Sequence, residues 1–189
     1  MLKSVLLAVV TLAIAIGGGA ASVWWMLERG LPARGWVPHA NPAAANANPY
    51  VRAQLSRSGA LTLGRAEGLS FIAKTDSTGE PFSANCDYLL EGPLPTARFW
   101  TLWAADPALN PLPARGPRPS ALHSQQTLRS ADGGMRVAAS PRPQPGNWLL
   151  VGAPGPFTLV LTLYDTPAAG FQGAAPPALP DIVRTGCGA

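Results

Sequence analysis

The chain has 189 residues and a net charge of +4 at pH 7, with an isoelectric point near 9.6. Charged residues make up 13% of the chain, whereas it contains 20 glycines and 21 prolines; this composition excludes a helical bundle or a coiled coil and favours short strands joined by many turns. Two histidines and two cysteines are too few for a histidine-rich metal cage or a cysteine-ligated structural zinc site.

The chain begins with a long apolar segment. Residues 4–27 carry no charged side chain over 24 positions, and a helix of that length would cross a hydrocarbon core of about 30 Å. Two interpretations are open: a retained membrane anchor, or a secretory signal cleaved after Gly19-Ala20-Ala21. The anchor is favoured because apolar residues continue beyond that site and because Trp24 and Trp25 lie where an interfacial aromatic belt is expected.

The orientation of the chain and the state of its cysteines are linked. The very short, positively charged N-terminal tail favours a cytoplasmic N-terminus, which would place the remainder of the chain across the membrane. In an exported domain, Cys86 and Cys187 are most simply joined in a disulfide. Two unrelated buried thiols are the alternative.

Three parts follow one another along the sequence. We predict a transmembrane anchor over residues 1–28, a linker over residues 29–47 and a folded domain over residues 48–189. Within the linker, Trp36 is expected to dock on the domain or on the membrane surface. Asn48-Pro49 has the residue types of a helix start, which predicts a short helix over residues 49–58.

Beyond Leu69 the apolar residues alternate with a period of two, as in strands. The predicted strands, in chain order, cover residues 69–75, 86–91, 98–104, 121–128, 135–139, 148–151, 157–164 and 181–184. The turn signal Asp132-Gly133-Gly134 is expected to pair residues near 126–129 with residues 135–139 in a hairpin. Short strands without βαβ alternation predict a mainly β fold: an antiparallel, jelly-roll-like β-sandwich with one short helix and an N-terminal transmembrane helix.

A family resemblance is carried by residues spread over positions 36–187. These are Trp36, Asn48-Pro49-Tyr50, Arg52-Ala53, Glu67, Phe71, Ala73, Asp76, Gly79, Cys86, Tyr88, Gly92, Ala97-Arg98, Trp100, Trp148-Leu149, Leu161, Leu163-Tyr164-Asp165, Leu179-Pro180, Ile182 and Cys187. In order and spacing they resemble the family called domain of unknown function 1214, and the chain looks like its short, single-span members. The resemblance implies a jelly-roll-like β-sandwich in a bacterial envelope, but no agreed activity.

The resemblance also carries expectations about location, partners and variation. Together with the anchor and the favoured orientation of the chain, the envelope setting that it implies predicts a single-span protein of a bacterial inner membrane with its C-terminal domain in the periplasm. In longer relatives the domain follows a partner domain of unknown function, number 1254, so an envelope protein with that domain is an expected partner. This chain has Phe99-Trp100 where the family usually has a tryptophan pair, and Trp103-Ala104 near its usual tyrosine. A pocket lined by these residues would therefore differ here.

The sequence contains no recognisable catalytic motif. HExxH, GxSxG, CxxC and a phosphate-binding glycine loop are all missing from it, so an enzyme is not indicated and no cofactor or metal is expected. The arginines are scattered without a basic helix, so nucleic acid is not an expected partner. The membrane is the expected partner, through the N-terminal helix and through weak attraction of the basic domain to anionic lipid.

Four residues are candidates for ligand binding: Arg52, Glu67, Arg98 and Trp100. Glu67 lies between apolar segments, and Arg52 on the short helix is its natural partner. The two residues form either an ion pair that holds the helix to the sheet or a pair that anchors a ligand. Arg98, which precedes Phe99 and Trp100, has a planar guanidinium suited to an anionic ligand, although stacking within the core is the alternative.

Three functions are compatible with these features. The first is a membrane-anchored binding or accessory module exposed to the periplasm. The second is a structural partner of another envelope protein. The third is a hydrolase that acts on a polar envelope or carbohydrate substrate through carboxylates at the mouth of the sandwich.

Overall fold

The computed structural model describes residues 2–29, 34–39, 49, 52–53, 56, 63–64, 67–116, 118–130, 133–152, 154–167 and 177–188. The chain forms two compact units, residues 1–32 with 48–60, and residues 33–47 with 61–189. The helix α1 (Leu2–Arg29) lies in the first unit. The second unit contains the strands β1 (Trp36–Pro38), β2 (Gly68–Ala73), β3 (Cys86–Gly92), β4 (Phe99–Ala105), β5 (Ala121–His123), β6 (Met135–Ser140), β7 (Trp148–Leu150), β8 (Thr158–Tyr164) and β9 (Asp181–Cys187).

Helix α1 is long and apolar enough to cross a membrane. Its segment Leu2–Trp25 has 24 residues and a mean hydropathy of 2.2. The hydroxyl groups of Thr11 and Ser22 donate to backbone carbonyls of the preceding turn, at 2.8–3.0 Å, so the helix itself satisfies these polar groups, as a lipid environment requires. The predicted apolar helix is confirmed, and its length and composition suit both a retained anchor and an export signal.

The strands form two sheets that share one core. The five-stranded sheet has the order β1-β2-β8-β4-β5, and the four-stranded sheet has the order β7-β6-β3-β9. Neighbouring strands are antiparallel except β6 and β7, which are parallel. Side chains alternate along each strand, and the inner faces of both sheets contribute to the same buried cluster, which includes Phe71, Leu102, Leu161, Tyr88, Leu90, Val137 and Ile182. The predicted β-sandwich is confirmed.

The sheet begins within the predicted linker. Trp36, Val37 and Pro38 pair with β2, and the indole Nε1 of Trp36 donates to the carbonyl of Pro180 at 2.8 Å. Docking of Trp36 on the domain is thus confirmed. A three-residue edge strand that ends in proline has too little alternation to be recognised from sequence. Most of the predicted helix over residues 49–58 lies outside the described residues, although its described residues 49, 52–53 and 56 are helical.

The predicted hairpin at Asp132-Gly133-Gly134 is wrong. The strand after it, β6, pairs with β3 and β7, whereas the strand before it, β5, ends at His123 and belongs to the other sheet. The turn signal is local, but the partner of β6 is chosen by burial of Met135, Val137 and Ala139 in the core. Asp132 lies outside the described residues.

The two cysteines form a disulfide. Cys86 at the start of β3 lies directly opposite Cys187 at the end of β9, and their sulfur atoms are bonded over a sequence separation of 101 residues. The side chain of Cys86 is buried, whereas Cys187 is exposed. The bond therefore fastens the last strand of the described domain to its neighbour, with one half-cystine buried and the other exposed.

Asp76 and Arg184 attach the β2–β3 connection to β9. Asp76 Oδ1 accepts hydrogen bonds at 2.6–3.0 Å from the hydroxyl and N–H of Thr78 and from the N–H of Glu80, and Oδ2 lies 3.4 Å from Arg184 Nη2. Burial alone raises the pKa of this carboxyl, but the hydrogen bonds and the Arg184 charge together outweigh burial. The pKa of Asp76 therefore lies below its ordinary value.

Candidate binding groove

An open groove of about 340 Å³ lies on the outer face of the four-stranded sheet. Its floor is formed by outward-facing side chains of β3, β6 and β9. Its walls are two loop segments, residues 128–130 and 144–147. We refer to this site as the groove.

Strand alternation determines which side chains reach the floor. On β3 and β6, Tyr88, Leu90 and Val137 point into the core, so Leu89 and Ala138 between them point outward. Leu89 pairs with Ala138 on one side and with Val183 of β9 on the other. The three apolar side chains thus form one row across the outer face, and Val183 is 53% exposed.

One asparagine fixes the wall formed by residues 128–130. Asn147 Oδ1 accepts a hydrogen bond from the Leu128 N–H at 2.7 Å, and its Nδ2 donates to the carbonyls of Leu128 and Arg136 at 2.8 and 2.9 Å. The amide therefore joins the loop to β6 and uses its hydrogen-bonding capacity in doing so. The Leu128 side chain lines the groove and is 72% exposed, so an apolar group is available to a ligand there.

Polar side chains at the rim differ in how they are paired. Asp87 accepts hydrogen bonds from the buried Ser140 hydroxyl and from Arg142. Arg136 forms an ion pair with Glu91 at 2.7 Å. Among the residues that the structure describes, Arg129 has neither a hydrogen bond nor an ion pair. The groove thus presents one free guanidinium beside an apolar floor.

The candidates predicted from sequence lie elsewhere. Arg98 is exposed rather than stacked in the core, and its Nε lies 3.1 Å from Asp165 Oδ2. Trp100 is half-buried and packs against the core. Glu67 is exposed, and its carboxylate accepts a hydrogen bond from the N–H of Gly64 at 2.9 Å. Its backbone carbonyl accepts from Asp165 at 2.9 Å, so Glu67 and Arg98 lie at the same end of the five-stranded sheet.

Arg52 belongs to the first compact unit, whereas Glu67 belongs to the second. The predicted pairing of these two residues therefore stays a prediction. None of the four candidates is among the residues that line the groove, and a binding role for them also stays a prediction. The groove residues were missed because they come from strands far apart in sequence. The available signal was the scarcity of acidic residues over positions 107–164, where five arginines accompany one aspartate.

The histidines lie on the other sheet. His123 on β5 is half-buried, with its ring centre 5.6 Å from that of Phe99, and its Nδ1 is buried without a hydrogen-bond partner among the described residues. Burial lowers the pKa of His39, whose backbone N–H donates to Ser70. Within the described part of the chain, no group of three or more His, Cys, Asp or Glu side chains is arranged to hold a metal ion.

One of two similar solved structures shows the same fold. The crystal structure of the VPA0106 protein from Vibrio parahaemolyticus matches with a TM-score of 0.60 and 17% identity, over 89% of this chain and 43% of that chain. A crystal structure of an uncharacterized protein from Burkholderia cenocepacia gives a TM-score of 0.46 and 16% identity, over 91% of this chain and 51% of that chain. The chain thus spans about half the length of these relatives or less.

The sequence comparisons identify the family. A search of the curated proteins finds no significant match to this chain. The profile of the family described as "Protein of unknown function (DUF1214)" matches residues 67–168, which is more than half of the chain and includes the strands from β2 to β8. The chain therefore belongs to the DUF1214 family.

Proposed function

We propose that this chain is a binding or accessory module anchored in a bacterial inner membrane by α1, with its β-sandwich in the periplasm. The observation that carries the proposal is the combination of an apolar helix, Leu2–Trp25, with a disulfide whose Cys187 half is solvent-exposed. Exposed disulfides are reduced in the cytosol and persist in the periplasm. The helix supplies a means of attachment, and the disulfide supports an oxidising location for the sandwich.

A binding role is supported by the form of the groove. Its wall is held by the side-chain amide of Asn147, and its floor by β-sheet pairing, so the site is largely formed before a ligand arrives, as in most small-molecule sites. The groove also combines apolar side chains with a free guanidinium, that of Arg129. This mixture suits recognition of a ligand more than it suits bond cleavage.

A pair of reporter fusions tests the location. Alkaline phosphatase fused after the last residue is active only outside the cytosol, whereas a fluorescent protein at the same position matures only inside it. We expect an active phosphatase fusion that stays in the membrane after carbonate extraction. The matched control replaces residues 2–29 with a cleavable export signal and should give an active but extractable fusion. A fluorescent, cytosolic C-terminus would contradict the proposal.

A structural role beside another envelope protein is the second candidate. It is favoured by the row of half-buried Leu89 and Ala138 and exposed Val183 on the outer face, because apolar side chains left on a surface beside ion pairs are typical of protein interfaces. The partner would be an envelope protein with the domain of unknown function 1254. Co-expression with such a protein, followed by purification of wild type and Val183→Asp, tests this role. Equal recovery of the partner with both variants would contradict it. The hydrolase is not proposed.

A further inference from the structure

We infer that the groove binds an anionic amphiphile, meaning a molecule with one phosphate or carboxylate group and a short apolar part. The inference deepens the proposed function, on which it rests, by naming the ligand class of the binding module. It depends on three features of the groove: the charge around it, the unpaired Arg129 and the apolar floor.

The excess of basic over acidic residues in the chain lies in the segment that builds the groove walls and the β6 part of its floor. Residues 107–164 contain five arginines and one acidic residue, Asp132, so they hold a net charge of +4, whereas the remainder has nine basic and nine acidic residues. Two of these arginines, Arg129 and Arg136, line the groove. A third, Arg142, is bonded to the groove residue Asp87. Asp87 and Glu91 neutralise Arg142 and Arg136, so these charged groups leave a net charge of +1 at the groove, which attracts an anion.

Arg129 is the arginine available for direct contact. Arg136 is engaged by Glu91 and Arg142 by Asp87, whereas Arg129 has no polar partner among the described residues. A guanidinium presents its N–H groups as a planar fork that matches two oxygens of a phosphate or carboxylate. Ser130 beside it also lines the groove and offers a further hydroxyl.

The floor and wall provide an apolar surface next to this guanidinium. Leu89 and Ala138 lie on the floor, and Leu128 and Pro145 on the walls. A purely polar anion would leave these side chains in contact with water, whereas a short hydrocarbon part would cover them. The volume of about 340 Å³ lies at the lower end of small-molecule sites, so the ligand that enters is small, or is the end of a larger molecule.

The same chemistry is found in a membrane lipid headgroup and in a free phosphate or carboxylate ester. The experiment uses the full chain in nanodiscs of phosphatidylcholine. Isothermal titration with butyl phosphate is compared with butanol, which lacks the anion, and with inorganic phosphate, which lacks the apolar part. We expect butyl phosphate to bind at least about tenfold more tightly than either, because each control loses one of the two contacts.

Variants locate the binding site. Arg129→Gln should weaken butyl phosphate binding about tenfold or more, the loss expected for a charge-assisted hydrogen bond, and Arg129→Lys should restore part of it. Arg115→Gln removes the same charge from an exposed position outside the groove and should change the affinity by less than about twofold. Leu128→Ser should weaken butyl phosphate but not methyl phosphate, because only the longer chain reaches the apolar wall.

Nanodiscs that contain phosphatidylglycerol distinguish the two sources. If the ligand is a lipid headgroup, they should reduce the apparent affinity for butyl phosphate in wild type and not in Arg129→Gln. If the ligand is free, the affinity should not change, and both results support the inference. The inference would be overturned if Arg129→Gln and Arg115→Gln lost the same affinity for butyl phosphate. It would also be overturned if butanol bound as tightly as butyl phosphate, or if butyl phosphate did not bind. An active phosphatase fusion without binding overturns the ligand class alone, whereas a cytosolic C-terminus overturns the proposed function.

Discussion

Removal of the Cys86–Cys187 disulfide by Cys187→Ser should lower the stability of the sandwich substantially. The bond closes a loop with a sequence separation of 101 residues, and the chain-entropy model gives a stabilisation of about 4.7 kcal/mol for a loop of about this size. Loss of native disulfides costs about 2–5 kcal/mol in small exported domains, and for a domain of this size each kcal/mol lowers Tm by about 2–4 °C. The expected decrease in Tm therefore lies between about 4 and 20 °C.

The assay is thermal unfolding of the full chain in nanodiscs, followed by tryptophan fluorescence. Cys187 is the better position because its side chain is exposed and a serine hydroxyl stays hydrated, whereas Cys86 is 5% exposed. Cys86→Ser should thus be at least as unstable as Cys187→Ser. Wild type treated with dithiothreitol should unfold at the temperature of the Cys187→Ser variant. An unchanged Tm for Cys187→Ser, compared with oxidised wild type, would refute this reasoning.

Three further predictions concern side chains and backbone of the sandwich, and urea unfolding measures each. Asp87→Asn should lower the free energy of unfolding by about 1–3 kcal/mol, because the Asp87 side chain is 17% exposed and accepts hydrogen bonds from both Ser140 and Arg142. Glu91→Gln should lower it by no more than about 1 kcal/mol, because the Glu91 side chain is 50% exposed. Equal losses in the two variants would contradict this difference. The pKa of Asp76 is lowered in the folded state, so the stability that the carboxylate provides is present above the unfolded pKa of about 3.9 and is lost as the pH falls through the lower folded value. The difference in unfolding free energy between wild type and Asp76→Asn should therefore become smaller below about pH 4. A difference that grows in acid would contradict the lowered pKa. Gly68 has a φ of +155°, and a Cβ at this position would lie 2.0 Å from the backbone oxygen of Leu163. Gly68→Ala should therefore lower the free energy of unfolding by at least about 1–3 kcal/mol. In the control Gly186→Ala the added Cβ meets no atom within 4 Å, so the free energy of unfolding should be nearly unchanged.

The strands that the sequence predicts well are those with strong alternation and a place in the core. Strand β8 is an example: Leu159, Leu161 and Leu163 are fully buried on one face, and their spacing alone indicates a strand. Strand β1 could not be found in this way, because its three residues are stabilised by pairing with β2 and by the Trp36 contact with Pro180. Such contacts join residues far apart in sequence and leave no local pattern.

The candidate site was harder to predict than the fold. The disulfide was predictable because the chain has two cysteines and therefore one possible pair. The groove combines β3, β6 and β9 with two loops, and its assembly depends on the choice of β3 as the partner of β6. The turn signal at Gly133 favoured the wrong partner, so a site that depends on the true pairing was out of reach of the sequence.

The measurement that tests the central claim most directly is the intact mass of the chain, purified from the membrane fraction without reductant and treated with iodoacetamide. A module anchored by α1 with its sandwich in the periplasm should retain residues 2–29, carry no alkyl group and be two hydrogens lighter than the reduced chain. A mass that begins at Ser22 would show that the helix is removed and that the anchor is absent. Alkylation of both Cys86 and Cys187 would show free thiols and contradict the periplasmic location of the sandwich.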